Sequence, residues 1–421
     1  MQKRVTLVGL GYVGLPLAAL LAAKGFVVKG VDTDPSVVSR INAHSIQTRE
    51  PGLDSLVREG VRSGALSASV TMAVSEVYVI AVPTPLTAQR TADLSHIRSA
   101  VTTIAPVLKT GDLLILESTS PIGTTEQVAC WLAEQRPDLR FPGQHEGAPD
   151  VHIAYCPERV LPGSALRELE ANERVIGGLS AACTAAAADF YGAFVQGACL
   201  TTDSRTAEMC KLAENSFRDV NIAYANELSM LCERMGVDTR TLISLANRHP
   251  RVAILEPGPG VGGHCVAVDP VFLQQAAPDL TTLISAARQV NDSKPAWVIA
   301  KVEQAVAQLR EAGVETPKIV CLGLTFKPDI DDLRESPALA IAVQLAQRFP
   351  DHVYAVEPNL TTLPSPVNHH VRLVDVQQAH HCDVLVQLVN HREFRDQPLR
   401  PTAQQRLVDV WAGLAAQGAS L

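Results

Sequence analysis

Short apolar runs alternate with helix-length segments over most of the chain. Residues 5–8 and 27–31 are aliphatic and β-branched, and between them lie Gly9-Leu-Gly11-Tyr-Val-Gly14 and an apolar stretch reaching Lys24. Runs with no polar alternation suit strands buried on both faces of a parallel sheet. The same reading applies to residues 77–82, 113–116 and 151–155. The pattern then changes. Residues 203–234 form one uninterrupted helical segment, with Asp203 or Ser204 as cap and Gly236 as stop. At about 1.5 Å per residue it is on the order of 45 Å long. A second long helix is predicted over residues 281–312, and strands return at 318–323, 353–356 and 384–389. The predicted fold is α/β: two Rossmann-like, doubly wound domains joined by a central helical segment with a long spine helix. The expected domains are residues 1–200, 201–312 and 313–421. No strong sequence repeat links the two outer domains.

Length supports this division, since 421 residues exceed one ordinary core. With 47% apolar and 19% charged residues the composition is that of a soluble globular protein. A net charge of -8 with mixed signs argues against a nucleic-acid or membrane partner. Nine scattered cysteines without CxxC or metal-ligand spacing fit a reducing cytoplasm and predict no metal. Lys3-Arg4 before the uncharged residues 5–23 imitates a signal peptide, but glycines, Pro16 and a second strand pattern argue for a folded βαβ unit.

The first turn carries a dinucleotide pattern. Gly9, Gly11 and Gly14, with Tyr12 and Val13 between, follow a strand and open a helix, and Asp32 lies about twenty residues on. Glycines permit the tight turn and let backbone N–H groups approach a pyrophosphate. Asp32 favours NAD through its ribose hydroxyls. Thr84, Thr119 and Thr125 follow later strands and are candidate cofactor-edge contacts, each with helix capping as the alternative role.

A second constellation lies further on. In Gly258-Pro-Gly-Val-Gly-Gly-His-Cys-Val-Ala-Val-Asp-Pro270, four glycines lead to Cys265, and Asp269 follows it by four. Such a cluster marks unusual φ angles or close approach of backbone to a ligand; a structural cysteine in a loop is the alternative. Lys211, Asn215 and Arg218 share one face of the spine helix. Arg248, His249 and Arg251 offer cations just upstream of the loop. A thiol beside a nicotinamide suggests oxidation at the aldehyde level, through a thiohemiacetal and a thioester. His264 adjoins Cys265, but adjacent side chains rarely face each other, which disfavours a hydrolase.

The chain resembles the UDP-glucose/GDP-mannose dehydrogenase superfamily. The resemblance rests on VGLGYVGLPLAA, AVPTP, LESTSPIGTTE, IAYCPERVLPG, SRTAEMCKLAENSFRDVNIAYANELS, ANRHPRV, GPGVGGHCVAVDP, LGLTFKPDIDDLRESPA and Ala355-Val-Glu-Pro358, nearly end to end. It implies oxidation of a nucleotide-sugar CH2OH to a carboxylate with two NAD+. UDP-N-acetyl-D-mannosamine is the implied substrate, and UDP-N-acetyl-D-glucosamine the alternative. By resemblance, Cys265 is the nucleophile, Lys211 acts on the substrate oxygen and Asn215 binds the oxyanion. Glu158 and Thr119 hold or activate water, and Asp269 supports the thiol. Arg159, Val160, Arg218, His249, Arg251 and Gly262 match substrate contacts, Phe326 and Lys327 UDP-side contacts, and Arg334 a cofactor contact. A homodimer is implied, with Arg251 reaching across the interface. So is a role in making enterobacterial common antigen or a capsule.

Three positions depart from the wider family. Ala267 replaces a common proline, which the mannosamine branch tolerates. Pro162 stands where glucose-type relatives carry a second glutamate, which argues against UDP-glucose. Trp411 stands where a basic residue is expected.

Overall fold

The computed structural model describes residues 3–46, 48, 50–143, 147–161, 163–397, 399 and 401–411; Pro162 lies outside them. The chain divides into two compact units, Met1–Glu214 with Val271–Ala276, and Asn215–Pro270 with Ala277–Leu421. Near residue 200 strands give way to helix, and near residue 312 helix gives way to strand. The packing division falls inside the spine helix.

Among the described residues the first unit is built on eight strands: β1 Arg4–Val8, β2 Val27–Val31, β3 Leu66–Ser69, β4 Val77–Ile80, β5 Leu113–Leu116, β6 His152–Tyr155, β7 Arg174–Gly178 and β8 Cys199–Asp203. Their order is β3-β2-β1-β4-β5-β6-β7-β8, and only the β6–β7 pair is antiparallel. Alternation along β4 shows why the run is apolar throughout. Val77 and Val79 enter the core beneath helix Gly14–Ala23, while Tyr78 and Ile80 enter the opposite core with Val101 and Leu132. Both faces are covered, so neither parity can be polar. The sequence reading did not assign β3, β7 and β8. They are short and interrupted by serine, threonine or glycine, and β3 and β8 are the two edges.

The second unit holds β9 Ile319–Leu322, β10 Val353–Val356, β11 Arg372–Leu373, β12 Val384–Gln387 and β13 Arg406–Asp409. All pairs are parallel, in the order β11-β10-β9-β12-β13. Helices Thr282–Glu311 and Pro337–Arg348 cover one face, with Val298, Val302, Ile341 and Leu345 in its core. Val320, Leu322, Leu385 and Phe394 pack on the other.

The spine helix runs Ser204–Met235, close to the predicted span. Asp203 Oδ1 accepts the Thr206 N–H at 2.9 Å, the expected capping role. Within the second unit the spine is tied to the long helix after it by buried polar pairs. Arg288 reaches Asp219 at 2.6 Å, and Asn226 donates to Asn291 at 2.9 Å. Each of these buried charges meets an opposite charge or an amide, because an unpartnered buried charge is costly.

Candidate functional site

The three glycines of the first turn have three different reasons. Gly9 has φ +94°, and a Cβ there would meet the Ala81 carbonyl oxygen at 2.6 Å. At Gly14 a Cβ would lie 1.9 Å from the Gly9 oxygen. At Gly11 a Cβ would meet nothing within 4 Å, so its missing side chain leaves open space. Helix Gly14–Ala23 starts with no side-chain cap and no acid in its first turn. Its first N–H groups therefore suit an anion. Asp32 Oδ2 accepts the Leu10 N–H and Oδ1 the Asp34 N–H, both at 2.9 Å, leaving lone pairs for a ribose diol. These residues fit NAD: Gly11 would give the approach, the helix start would hold the phosphates, and Asp32 would accept from the ribose.

Two of the threonines lie together: Thr84 donates its hydroxyl to the Thr119 carbonyl oxygen. Thr125 has a different neighbour. Its hydroxyl and N–H both donate to Glu208 Oε1, at 2.6 and 2.8 Å, and the Gly123 N–H donates to Glu208 Oε2 at 2.6 Å. Helix Thr124–Gln135 begins at Gly123 without a side-chain cap of its own, so Glu208 caps it from the spine helix. Thr125 is fully buried and turned toward that carboxylate. Burial pushes Glu208 above the usual carboxylate range, against the bonds from Thr125 and Gly123. Glu208 escaped the sequence reading; its only local signal is an acid three residues before Lys211.

One turn beyond Glu208, the buried Lys211 Nζ donates to the Glu158 carbonyl oxygen at 2.5 Å. Glu158 Oε1 accepts the Val160 N–H, and Arg159 pairs with Glu214 at 2.7 Å. The structure thus gathers Lys211, Glu158, Arg159 and Val160. Beneath them, at the strand ends, Tyr191 donates to Glu117 at 2.6 Å beside the buried Arg174. Burial pushes the neighbouring Cys156 thiol up to about 12, an inert thiol.

In the second unit, Asn215 donates to Asp269 Oδ2 at 2.5 Å, and both are buried. Asp269 opens helix Asp269–Ala276, and its N–H donates to the Cys265 carbonyl oxygen at 2.8 Å. Cys265 is exposed. The glycines before it answer mainly to protein crowding. A Cβ on Gly262 would lie 2.3 Å from the Glu335 carbonyl oxygen, and one on Gly263 2.9 Å from the Phe326 ring. Gly260 and Gly263 also have φ +133° and +80°. Close approach was expected, but here the approaching group is the chain itself.

Phe326 and Lys327 follow β9 on the loop that meets these glycines. Arg334 is held by Asp332 at 2.6 Å. Partial burial, then the Arg334 charge, lower the His264 imidazole. Arg218, His249 and Arg251 are exposed, the last two on a turn where the Arg251 N–H donates to His249 Nδ1 at 3.3 Å. Trp411 donates its N–H to Asp409 at 2.9 Å, and Arg240 reaches the same carboxylate at 2.7 Å. A cation therefore lies beside this strand end, supplied from another element. Among the described residues no helix is long and apolar enough to cross a membrane.

The glycine-rich βαβ turn with its partly exposed acid suits a dinucleotide, and the class it points to is a dinucleotide-dependent oxidoreductase. The chain belongs to the UDP-glucose/GDP-mannose dehydrogenase family: its NAD-binding domain matches residues 3–195, its central domain 205–293 and its UDP-binding domain 320–414. The chain is 51% identical over 416 residues to UDP-N-acetyl-D-mannosamine dehydrogenase of Yersinia pestis, covering 97% of this chain and 99% of that one. It is also 51% identical over 394 residues to NDP-N-acetyl-D-galactosaminuronic acid dehydrogenase of Ralstonia solanacearum, covering 93% and 92%. The solved UDP-D-ManNAc dehydrogenase of Pyrococcus horikoshii superposes with a TM-score of 0.85 at 35% identity, over 98% of this chain and 95% of that one. The chain is an NAD-dependent dehydrogenase.

Proposed function

We propose that the chain oxidises UDP-N-acetyl-D-mannosamine to UDP-N-acetyl-D-mannosaminuronate, a four-electron reaction through a Cys265 thioester. The observation that carries the reading is the exposed Cys265, which shares its loop with Asp269 and hence with Asn215, in a chain whose first turn fits NAD. An alcohol-to-aldehyde oxidation has no need of a thiol; an aldehyde-to-acid oxidation does.

Lys211 acts on the C6 oxygen, taking its proton as the alcohol becomes an aldehyde. NAD+, when bound, accepts the hydride of each oxidation. Cys265 thiolate adds to the aldehyde carbon to give a thiohemiacetal, whose oxyanion Lys211 and Asn215 stabilise. Loss of the second hydride leaves a thioester. Water, held by Glu158, Thr119 and Asp269, attacks the acyl carbon, and the thiolate departs. Two NAD+ and one water are consumed per sugar, and a carboxylate with two NADH is formed.

A homodimer is proposed with it. On the spine helix Phe217, Tyr224 and Leu231 recur every seven residues and are 67, 54 and 48% exposed, an apolar stripe suited to a second copy. Arg251 of a second copy would then complete the substrate contacts. The proposed compartment is the cytoplasm, where NAD and nucleotide sugars are found.

The relatives of equal identity carry different sugar names, so the stereochemistry is decided by assay. Purified protein is given the manno, gluco and galacto UDP-N-acetylhexosamines, and NADH is counted. Two NADH per mannosamine, with slower turnover of the others, is expected. Faster turnover of the gluco sugar, or one NADH per sugar, would overturn the reading.

A further inference from the structure

We propose that Glu357 and His391 form a clasp that sets residues 324–329 and, through Phe326, the glycine loop that carries Cys265. They are positioning residues for the nucleophile, and the inference rests on the function proposed above.

Glu357 directly follows β10, and His391 follows β12; both side chains are fully buried. His391 Nε2 lies 3.1 Å from Glu357 Oε2. That same oxygen accepts the Leu324 N–H at 2.7 Å and the Thr325 N–H at 3.3 Å. His391 Nδ1 accepts the Asp329 N–H at 3.0 Å. The tautomer is thereby assigned: Nε2 carries the proton and donates to the carboxylate. Glu357 Oε1 accepts the Asn359 N–H at 3.0 Å. Between the two anchor points, the Thr325 hydroxyl donates to the Lys327 carbonyl oxygen at 2.9 Å.

The clasp works against backbone strain. Asp329 has φ +64°, a conformation unfavourable for a non-glycine residue that persists only where surroundings over-determine it. Its N–H goes to His391, and its carboxylate to the Arg392 N–H at 2.7 Å and Arg395 at 3.1 Å. Phe326 sits inside this anchored span, and its ring lies where a Cβ on Gly263 would be, at 2.9 Å. Gly263 is two residues from Cys265. Displacing Phe326 therefore displaces the nucleophile's loop. A metal reading of Asp329, His391 and Glu393, whose ligand-type atoms lie within 4.8 Å of one another, fails because both His391 nitrogens are already engaged.

The test uses full-length protein and three variants. Glu357→Gln puts an NH2 where an oxygen accepts N–H groups. His391→Phe keeps a ring against Phe394 but neither hydrogen bond. His391→Gln keeps one donor and one acceptor. UDP and NAD+ binding are measured by calorimetry. Iodoacetamide labelling of Cys265 is followed by peptide mass spectrometry, with the exposed Cys130 as internal control. Glu357→Gln and His391→Phe are expected to weaken UDP binding about tenfold, roughly one buried charge-assisted hydrogen bond, and to change Cys265 labelling while Cys130 and NAD+ binding hold. His391→Gln should recover part of both. Wild-type values for UDP and Cys265 in any folded variant lacking the bonds would overturn the clasp. If wild type binds no UDP, the functional reading falls instead. If Glu357→Gln does not fold, His391→Phe against His391→Gln decides.

Discussion

The turns after β1 and β9 use one backbone device to opposite ends. In each, a glycine at positive φ donates its N–H to the last carbonyl of the neighbouring strand: Gly9 to Val31 at 2.8 Å, Gly323 to Val356 at 2.9 Å. In each, the next leucine N–H donates to an acid just past that strand, Leu10 to Asp32 at 2.9 Å and Leu324 to Glu357 at 2.7 Å. The strand orders match as well over five strands, β3-β2-β1-β4-β5 against β11-β10-β9-β12-β13, with the first strand in the middle of each five. The difference lies in what remains of the acid. Asp32 is partly exposed, but Glu357 is sealed by His391, Thr325 and Asn359. One turn leaves its carboxylate partly open, whereas the other commits it to its own loop.

The largest effect tests the consequence of that loop. Cys265→Ala should abolish uronate formation, on the order of a thousandfold or more, as expected for loss of a nucleophile. NAD+ binding should survive, because the first turn is intact. Normal uronate output would end the thioester mechanism. Cys265→Ser should retain a slow first oxidation or stall as an ester, visible by mass spectrometry.

Glycine substitutions then separate packing from ligand approach. Gly14→Ala puts a Cβ 1.9 Å from a backbone oxygen, and Gly323→Ala puts one 2.4 Å from Val389 at φ +85°. Each should cost about 2 kcal/mol or more of stability, read by denaturant unfolding. Gly11→Ala, with nothing within 4 Å, should leave stability nearly unchanged but weaken NAD+ binding. Equal stability losses at Gly11 and Gly14 would break the distinction. Asp32→Ala should weaken NAD+ about tenfold, one charge-assisted hydrogen bond, and narrow the preference over the 2′-phosphorylated cofactor. The same change at Glu357 should leave NAD+ affinity alone.

The smallest effects are pH slopes of opposite sign. Burial holds Lys294 down to about 7, against its ordinary 10.5. Between those values the unfolded chain binds more protons, so stability rises with pH; below 7 both states are charged and the cost is constant. Lys294→Met should flatten that rise in Tm between pH 7 and 10. Glu208 is raised by burial, so from the ordinary glutamate value, about 4.3, up through its raised folded value the folded chain binds more protons and stability falls with pH. Glu208→Gln should remove that fall.

The strands 5–8, 27–31 and 113–116, the first turn and the spine helix were legible because their signals are local: apolar runs, glycine spacing, a cap and a stop. Lys211 and Asn215 could be placed on one helix face by counting. Strands β3, β7 and β8 were not, since short polar or glycine-bearing segments are recruited to a sheet by their neighbours. The sequence by itself determined the two nucleotide-binding folds, the NAD pattern and the thiol. Only the tertiary structure decided which partner each polar group received. Glu208 meets Thr125 from 83 residues away, and Glu357 meets His391 from 34. Residue spacing fixes which face a side chain occupies, but the group that waits on the other side is set by long-range packing, which no local period encodes.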